Sequence, residues 1–264
     1  MTYPKRDLQD AHVHLEKGPY TVQWAEQFIE TAVRKGIGEL WLLEHCYLFP
    51  EFVSMYDGLR SRSRFIDNWL RRKAGIRNLT EYLRLAEEIR GRRYPLRIRF
   101  GLEICWLEGQ ETFLRRQTAP LGLDFLTGSV HFAGDFAFDH TPELWQEQDV
   151  DTVYRQYIRH AYTLADSGLF DGMAHPDSIG LFGHSPSFPL TEFYDTLARK
   201  LAAQHMYAEQ NSGACRRCPG TAHFGMQPAL LCAMKTHGVR CITASDAHCP
   251  EDVGEGICEL AETL

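Results

Sequence analysis

The sequence predicts an α/β chain whose strands run parallel and close, or nearly close, into a barrel. Three observations carry this. Short apolar runs alternate with amphipathic stretches along the whole chain. Seven strand candidates can be counted, most of them separated by a helix. The length, 264 residues, suits a one-domain α/β barrel, which commonly reaches ~200–250 residues. Strand–helix alternation implies crossover connections and hence a parallel sheet. An open sheet is the alternative.

The elements follow in order. Residues 8–14 (Leu-Gln-Asp-Ala-His-Val-His) read as a short strand ending in polar residues. Residues 22–35 read as a helix, because Ala25, Phe28, Ile29, Ala32 and Val33 recur at spacings of three and four. Thr21 suits the N-cap and Gly36 the left-handed turn at the end. The remaining strand candidates are 39–45, 96–103, 123–131, 169–175, 205–210 and 239–246, and helices are expected at 111–116, 150–167, 190–204 and 226–236. Residues 46–95 break this rhythm and are too long for one loop. They hold a helical piece at 79–90, and residues 60–99 carry thirteen Lys and Arg against four Asp and Glu. This stretch is either a solvated helical excursion or a basic wall that attracts an anionic substrate. The expectation is one barrel domain over 1–264 with the excursion attached at 46–95.

Composition excludes several classes. With 44% hydrophobic and 12% aromatic residues the chain is too rich to be disordered. Mean hydropathy is −0.33, and no apolar run approaches the ~18 residues of a membrane span. The first residues carry no apolar segment after their charges, so a secretory signal is not expected. A net charge of −7 makes a poor general nucleic-acid binder. Eight cysteines in a chain this long read as reduced thiols rather than a disulfide framework, which points to the cytoplasm.

The chemistry lies in where the ligand-type residues fall. His12 and His14 close the first strand, His45 the second, Glu103 the third, His131 the fourth and His175 the fifth, while Asp246 and His248 follow the seventh. In parallel α/β barrels the active site gathers at the C-terminal ends of the strands, so these residues would converge on one rim. Alternate residues of a strand share a face, so His12 and His14 can reach one ion together. A lone His-x-His is weak evidence, since a single strand-end histidine is more often a hydrogen-bonded structural residue. The whole set at six strand ends is not readily explained that way. Imidazole and carboxylate together suit Zn, Fe or Mn, and the set exceeds the ligand shell of one ion. Two ions ~3.5–4 Å apart can clamp a phosphoryl group and activate water.

Six ordered motifs carry a family resemblance. They are Asp10-Ala11-His12-Val13-His14, Leu43-Glu44-His45, Gly101-Leu102-Glu103, Gly128-Ser129-Val130-His131-Phe132, Ala174-His175-Pro176-Asp177 and Ser245-Asp246-Ala247-His248. Together they resemble the polymerase and histidinol phosphatase (PHP) superfamily. Phe138-Asp139-His140, residues 167–171 and residues 250–254 are similar to its histidinol-phosphatase branch. The resemblance implies a distorted (β/α)7, TIM-like barrel holding two or three divalent ions at the C-terminal ends of the strands. Motif by motif, it implies that His12, His14, Glu103 and Asp246 bind the first ion. Glu103 (as a bridge), His131 and His175 would bind the second, and His45 and His248 the third. Family members hydrolyse phosphomonoesters with a metal-bridging hydroxide. The expected activity is therefore hydrolysis of L-histidinol phosphate, in histidine biosynthesis. Alternatives are another phosphomonoester (a nucleotide, sugar phosphate or phosphotyrosine) or a non-catalytic metal-binding regulatory subunit. The expected partner is a small phosphorylated substrate, with no membrane and no nucleic acid; whether the chain is a monomer or a homo-oligomer is open.

The chain departs from the family pattern after His14. Relatives usually place another His a few residues on as a third-ion ligand, whereas here residues 15–20 read Leu-Glu-Lys-Gly-Pro-Tyr. Glu16 can substitute as a ligand or sit on the surface, and Tyr20 stands where the His is expected. The segment after the sixth strand, residues 209–217, resembles the family stretch that contributes a phosphate-binding arginine. Arg216 is preferred to Arg217 for that role, since a planar guanidinium donates two parallel hydrogen bonds to phosphate. Asn211 and Ser212 either orient the phosphate or pack the loop, and His184 is placed at the mouth of the site. Asp246 is expected to be a ligand that can also accept a proton from water, making it catalytic with Arg216. A zinc knuckle from Cys215, Cys218 and His223 would lack a fourth ligand.

Overall fold

The computed structural model of this chain describes residues 8–264. Its seven strands form one sheet in sequence order, every neighbouring pair parallel. They are β1 (Leu8–Val13), β2 (Ile37–His45), β3 (Arg97–Cys105), β4 (Phe125–Ser129), β5 (Gly172–Met173), β6 (Tyr207–Asn211) and β7 (Cys241–Ala244). The sheet curls until its edges meet: Val13 bridges Ala247, and the His14 amide donates to the Ala247 carbonyl at 2.8 Å. Asp10 fastens the seam by accepting from the Ser245 amide and hydroxyl and from the Gly254 amide. The result is a nearly closed (β/α)7 barrel, distorted where β5 shrinks to two residues of the expected seven. Among the described residues no helix is long and apolar enough to cross a membrane.

Helices α1 (Val22–Arg34), α2 (Asp57–Arg60), α3 (Arg64–Lys73), α4 (Leu79–Arg90), α5 (Glu111–Thr118), α6 (Val150–Asp166), α7 (Thr191–Ala203), α8 (Gly213–Arg217), α9 (Pro228–Thr236) and α10 (Ile257–Glu262) occupy the connections. The start and stop signals of α1 act as expected: Thr21 Oγ1 accepts from the Trp24 amide, and Gly36 takes φ +76°. Val33, expected on the buried face, is 41% exposed. Inside the barrel floor Ala11, Trp41, Leu43, Phe125, Tyr207 and Ile242 pack as one cluster. Trp41, Leu43 and His45 share one face of β2 by strand alternation. The column that fills the floor therefore ends in His45 at the rim. Register then pairs His45 with Glu103 across β2 and β3.

The 46–95 excursion is more ordered than its sequence suggests. It opens with two short 3-10 turns, Cys46–Leu48 and Pro50–Tyr56, and continues through α2 and α3 before α4 completes the crossover. The Tyr82 hydroxyl, on α4, lies 3.1 Å from the Leu42 carbonyl and 2.8 Å from that of Gly101, tying the helix to β2 and β3. Part of its positive charge is paired with nearby carboxylates. Arg60 and Arg71 pair with Asp67, Arg90 with Asp124, and Arg92 with Glu26. No Lys or Arg of 60–99 lines the metal cavity described below, so the basic-wall reading is not met.

Candidate metal centre

The structure brings all nine expected ligand-type residues together at the C-terminal rim. Three overlapping groups have their ligand atoms within 4.8 Å of one another: His14, Glu16, His45 and His248; His12, His14 and Glu103; and His45, Glu103 and His131. Asp246 Oδ1 lies 3.7 Å from both His12 Nε2 and His14 Nε2, and 3.4 Å from His248 Nε2. His175 joins through its Nε2, 3.4 Å from Glu103 Oε1.

Glu103 stands at the centre, 1% exposed, and its two oxygens face different partners. Oε1 meets His131 and His175, at 2.8 and 3.4 Å. Oε2 meets His12, His14 and His45, at 3.3, 3.6 and 2.7 Å. A carboxylate divided in this way is placed to bridge two cations. The donor set also asks for cations on other grounds. Glu16 Oε2, His14 Nδ1 and His175 Nδ1 are buried with no hydrogen-bond partner, a costly state for polar atoms unless an ion completes them. Imidazoles and carboxylates with no thiolate suit zinc, iron or manganese.

The charges of the cluster depend on one another. Burial would raise the Glu103 carboxyl, but the His45 charge and the His12 and His131 hydrogen bonds hold it well below the usual carboxylate range. Burial, together with the charges of His45, His248 and His12, holds His14 well below the ordinary imidazole value, so it is neutral and ready to donate a lone pair. Burial works against His131 and His248, yet Asp139 raises the first, and Asp246 with Glu16 the second, to about 10. Two candidate ligands, His175 and Asp246, hold the positive φ values of +29° and +54° that non-glycine residues rarely adopt. Strain of this kind persists where surrounding structure over-determines a site. Gly213 helps: a Cβ there would lie 2.4 Å from the Asp246 Cβ, so only glycine lets α8 pack behind that residue.

A second ring of carboxylates orients the imidazoles. Glu209 accepts from His12 Nδ1 at 2.9 Å, and Asp139 from His131 Nδ1 at 2.6 Å. Carboxylate–histidine pairs of this kind fix the tautomer and turn the other ring nitrogen toward a metal. Glu44 Oε1 takes the Leu15 amide at 2.8 Å, holding the turn that carries Glu16. Glu44, Asp139 and Glu209 sit within motifs of the sequence, but no role was expected of them. The available signal was a carboxylate inside an apolar strand run, as in Leu43-Glu44-His45 and Tyr207-Ala208-Glu209.

After His14, Glu16 joins the cluster and Tyr20 does not. Glu16 Oε1 lies 2.7 Å from His248 Nδ1, whereas the Tyr20 ring packs on Tyr82 and Phe49 under Arg77. Three other expectations are corrected. Arg216 turns away from the cavity: its guanidinium donates to the Ser245 and Asp246 carbonyls at 2.9 and 2.7 Å and faces Asp252. It buttresses the backbone of the Asp246 turn, and Arg217 is the arginine that lines the cavity. His184 stacks on Trp145 at 4.3 Å in a separate pocket. Ser212 donates to the Glu255 carbonyl and so packs the loop. Asn211 lines the cavity but spends its amide on Glu209 and the Gly213 amide. Cys215, Cys218 and His223 form no ligand group among the described residues.

The profile of the PHP domain matches residues 10–213. The chain belongs to the PHP family. This PHP chain is 27% identical over 254 residues to a protein of Deinococcus radiodurans named "Probable histidinol-phosphatase", covering 94% of this chain and 88% of that one. It is 24% identical over 269 residues to the histidinol-phosphatase of Bacillus subtilis, covering 93% and 95%. The crystal structure of histidinol phosphate phosphatase from Lactococcus lactis, complexed with zinc, L-histidinol and phosphate, shares the fold. It has a TM-score of 0.69 at 16% identity, covering 97% of this chain and 94% of that one.

Proposed function

We propose that the chain is a cytoplasmic, metal-dependent phosphomonoester hydrolase whose substrate is L-histidinol phosphate, and that residues 1–264 act as one barrel domain. The observation that carries the chemistry is Glu103, whose two oxygens face two separate histidine groups. The substrate assignment is supported by the names of both curated relatives and by the ligands of the Lactococcus lactis structure. The compartment reading is supported by eight cysteines, none in a disulfide among the described residues.

His12, His14, Glu103 and Asp246 would hold one divalent ion, and Glu103, His131 and His175 a second. Glu16, His45 and His248 would hold a third, with Glu16 in place of the usual histidine. When bound, such ions activate water and take up charge on the phosphoryl oxygens. The chain's own residues do the rest. Glu209 and Asp139 keep the imidazoles of His12 and His131 aimed inward. Asp246, with its Oδ1 among three imidazoles, is placed to accept a proton from the attacking water. Arg217 lines the cavity with its guanidinium anchored on the Asp139 carbonyl, and its remaining donors suit phosphate oxygens. Arg216 acts one step back, by holding the Asp246 turn.

The test is phosphate release from L-histidinol phosphate by purified protein, with and without exhaustive chelation. Turnover that stops on chelation and returns with zinc, iron or manganese is expected. Turnover that survives metal removal contradicts the mechanism. Efficient hydrolysis of other phosphomonoesters but not of this one contradicts the substrate.

A further inference from the structure

A second cavity, of about 220 Å³, opens directly beside the metal centre and shares His45, Tyr47, His131, Asp139 and Arg217 with it. Its other walls are Tyr56 from the second 3-10 turn and Trp69 from α3, both in the excursion, facing Cys105, Phe132 and His140. These rings form a box. Trp69 meets Tyr47 edge-on at 4.8 Å and His140 edge-on at 4.7 Å, while His140 lies 5.6 Å from Phe132. At the back, Asp139 accepts from His131 through one oxygen and from His140 at 2.8 Å through the other. The box is therefore aromatic on its sides and polar at one edge.

We propose that this box is the leaving-group subsite, and that Trp69 makes the enzyme selective for phosphomonoesters whose alcohol carries a planar ring. The inference rests on the phosphatase reading above. The geometry supports it in three ways. The cavity is continuous with the metal centre, so a phosphate held there would point its ester arm into the box. The volume accommodates one ring on a short alkyl arm. Flat aromatic walls favour flat occupants through stacked or edge-on contacts, and a protonated heterocycle gains further against the Trp69 face. The excursion thus contributes specificity rather than positive charge.

The experiment uses the full-length, metal-loaded protein and three substrates: L-histidinol phosphate, 2-phenylethyl phosphate and ethyl phosphate. It compares wild type with Trp69→Leu, which keeps apolar bulk but loses the flat face, and with Trp69→Phe, which restores a ring. The readout is the ratio of kcat/KM for each ring-bearing ester to that for ethyl phosphate. We expect Trp69→Leu to lower both ratios by about tenfold, the scale of one lost aromatic contact with its burial, and Trp69→Phe to recover most of the loss. Unchanged ratios in Trp69→Leu, or a parallel fall on all three esters that Trp69→Phe does not reverse, overturn the proposal. Failure of the histidinol phosphate assignment is separate: wild type would then ignore that ester, while the phenylethyl-to-ethyl ratio would still decide the role of Trp69.

Discussion

The two sides of the catalytic cavity are built on different principles. On one side, the ligand-type residues stand at or just beyond strand ends, where hydrogen-bond register sets their height and strand alternation sets their direction. His45 pairs with Glu103 in the β2–β3 ladder, and the β1–β7 seam places His14 beside Ala247. On the other side, the box walls Tyr47, Tyr56 and Trp69 come from 3-10 turns and a short helix. A strand end tolerates little change, because moving one ligand moves the ladder. An excursion can change its side chains without disturbing the barrel. Chemistry therefore sits on the rigid side and selectivity on the adaptable one.

The comparison breaks most visibly at the bridge. Glu103→Gln removes the charge shared between the two histidine groups. Activity should fall by at least about a thousandfold, with the far-UV circular dichroism spectrum unchanged. Retained activity would detach the chemistry from the strand ends. Gly213→Ala should come next. A Cβ placed 2.4 Å from that of Asp246 must shift a strained residue, and a displacement on the order of 1 Å can cost about a hundredfold in rate. Steady-state kinetics with unchanged folded content checks this. Asp139→Asn removes the carboxylate behind His131 and should cost about 10–100-fold in metal affinity or activity, read by titrating the apoprotein with zinc. The smallest effect belongs to the excursion. Tyr82→Phe loses the hydroxyl that contacts the Leu42 and Gly101 carbonyls, and urea denaturation should show a loss of about 1–2 kcal/mol with kcat little changed. A large loss of kcat in Tyr82→Phe would mean that the two sides are not separable.

How far the sequence could be read follows the same division. The barrel and its rim were legible because strand alternation and ligand chemistry are local signals, and six strand ends carried the same kind of residue. Helix α4 was legible at 79–90, since its apolar residues repeat at helical spacing and Asn78 caps it. Helices α2 and α3 were not: α3 buries only Ile66 and Leu70 among many charges, so its pattern reads as solvated. The shortness of β5 was hidden because its flanks keep strand-like bonds beyond the two ladder residues: the Asp171 amide donates to the Leu126 carbonyl and the Ala174 amide to the Gly128 carbonyl. The choice between Arg216 and Arg217 was closed to sequence reasoning. Adjacent residues of a helix point about 100° apart, and only the position of the Ser245 and Asp246 carbonyls decides which one faces inward. The aromatic box was likewise beyond reach, because its walls are distant in sequence and no repeat links them.

The account depends most on the claim that Glu103 holds cations together at the strand ends. Elemental analysis of purified wild type and of Glu103→Gln, with phosphate release measured on the same samples, tests it directly. The expected result is two or three equivalents of zinc, iron or manganese per wild-type chain, and a joint loss of metal and turnover in the variant. A variant that keeps both its full metal content and its turnover would contradict the account.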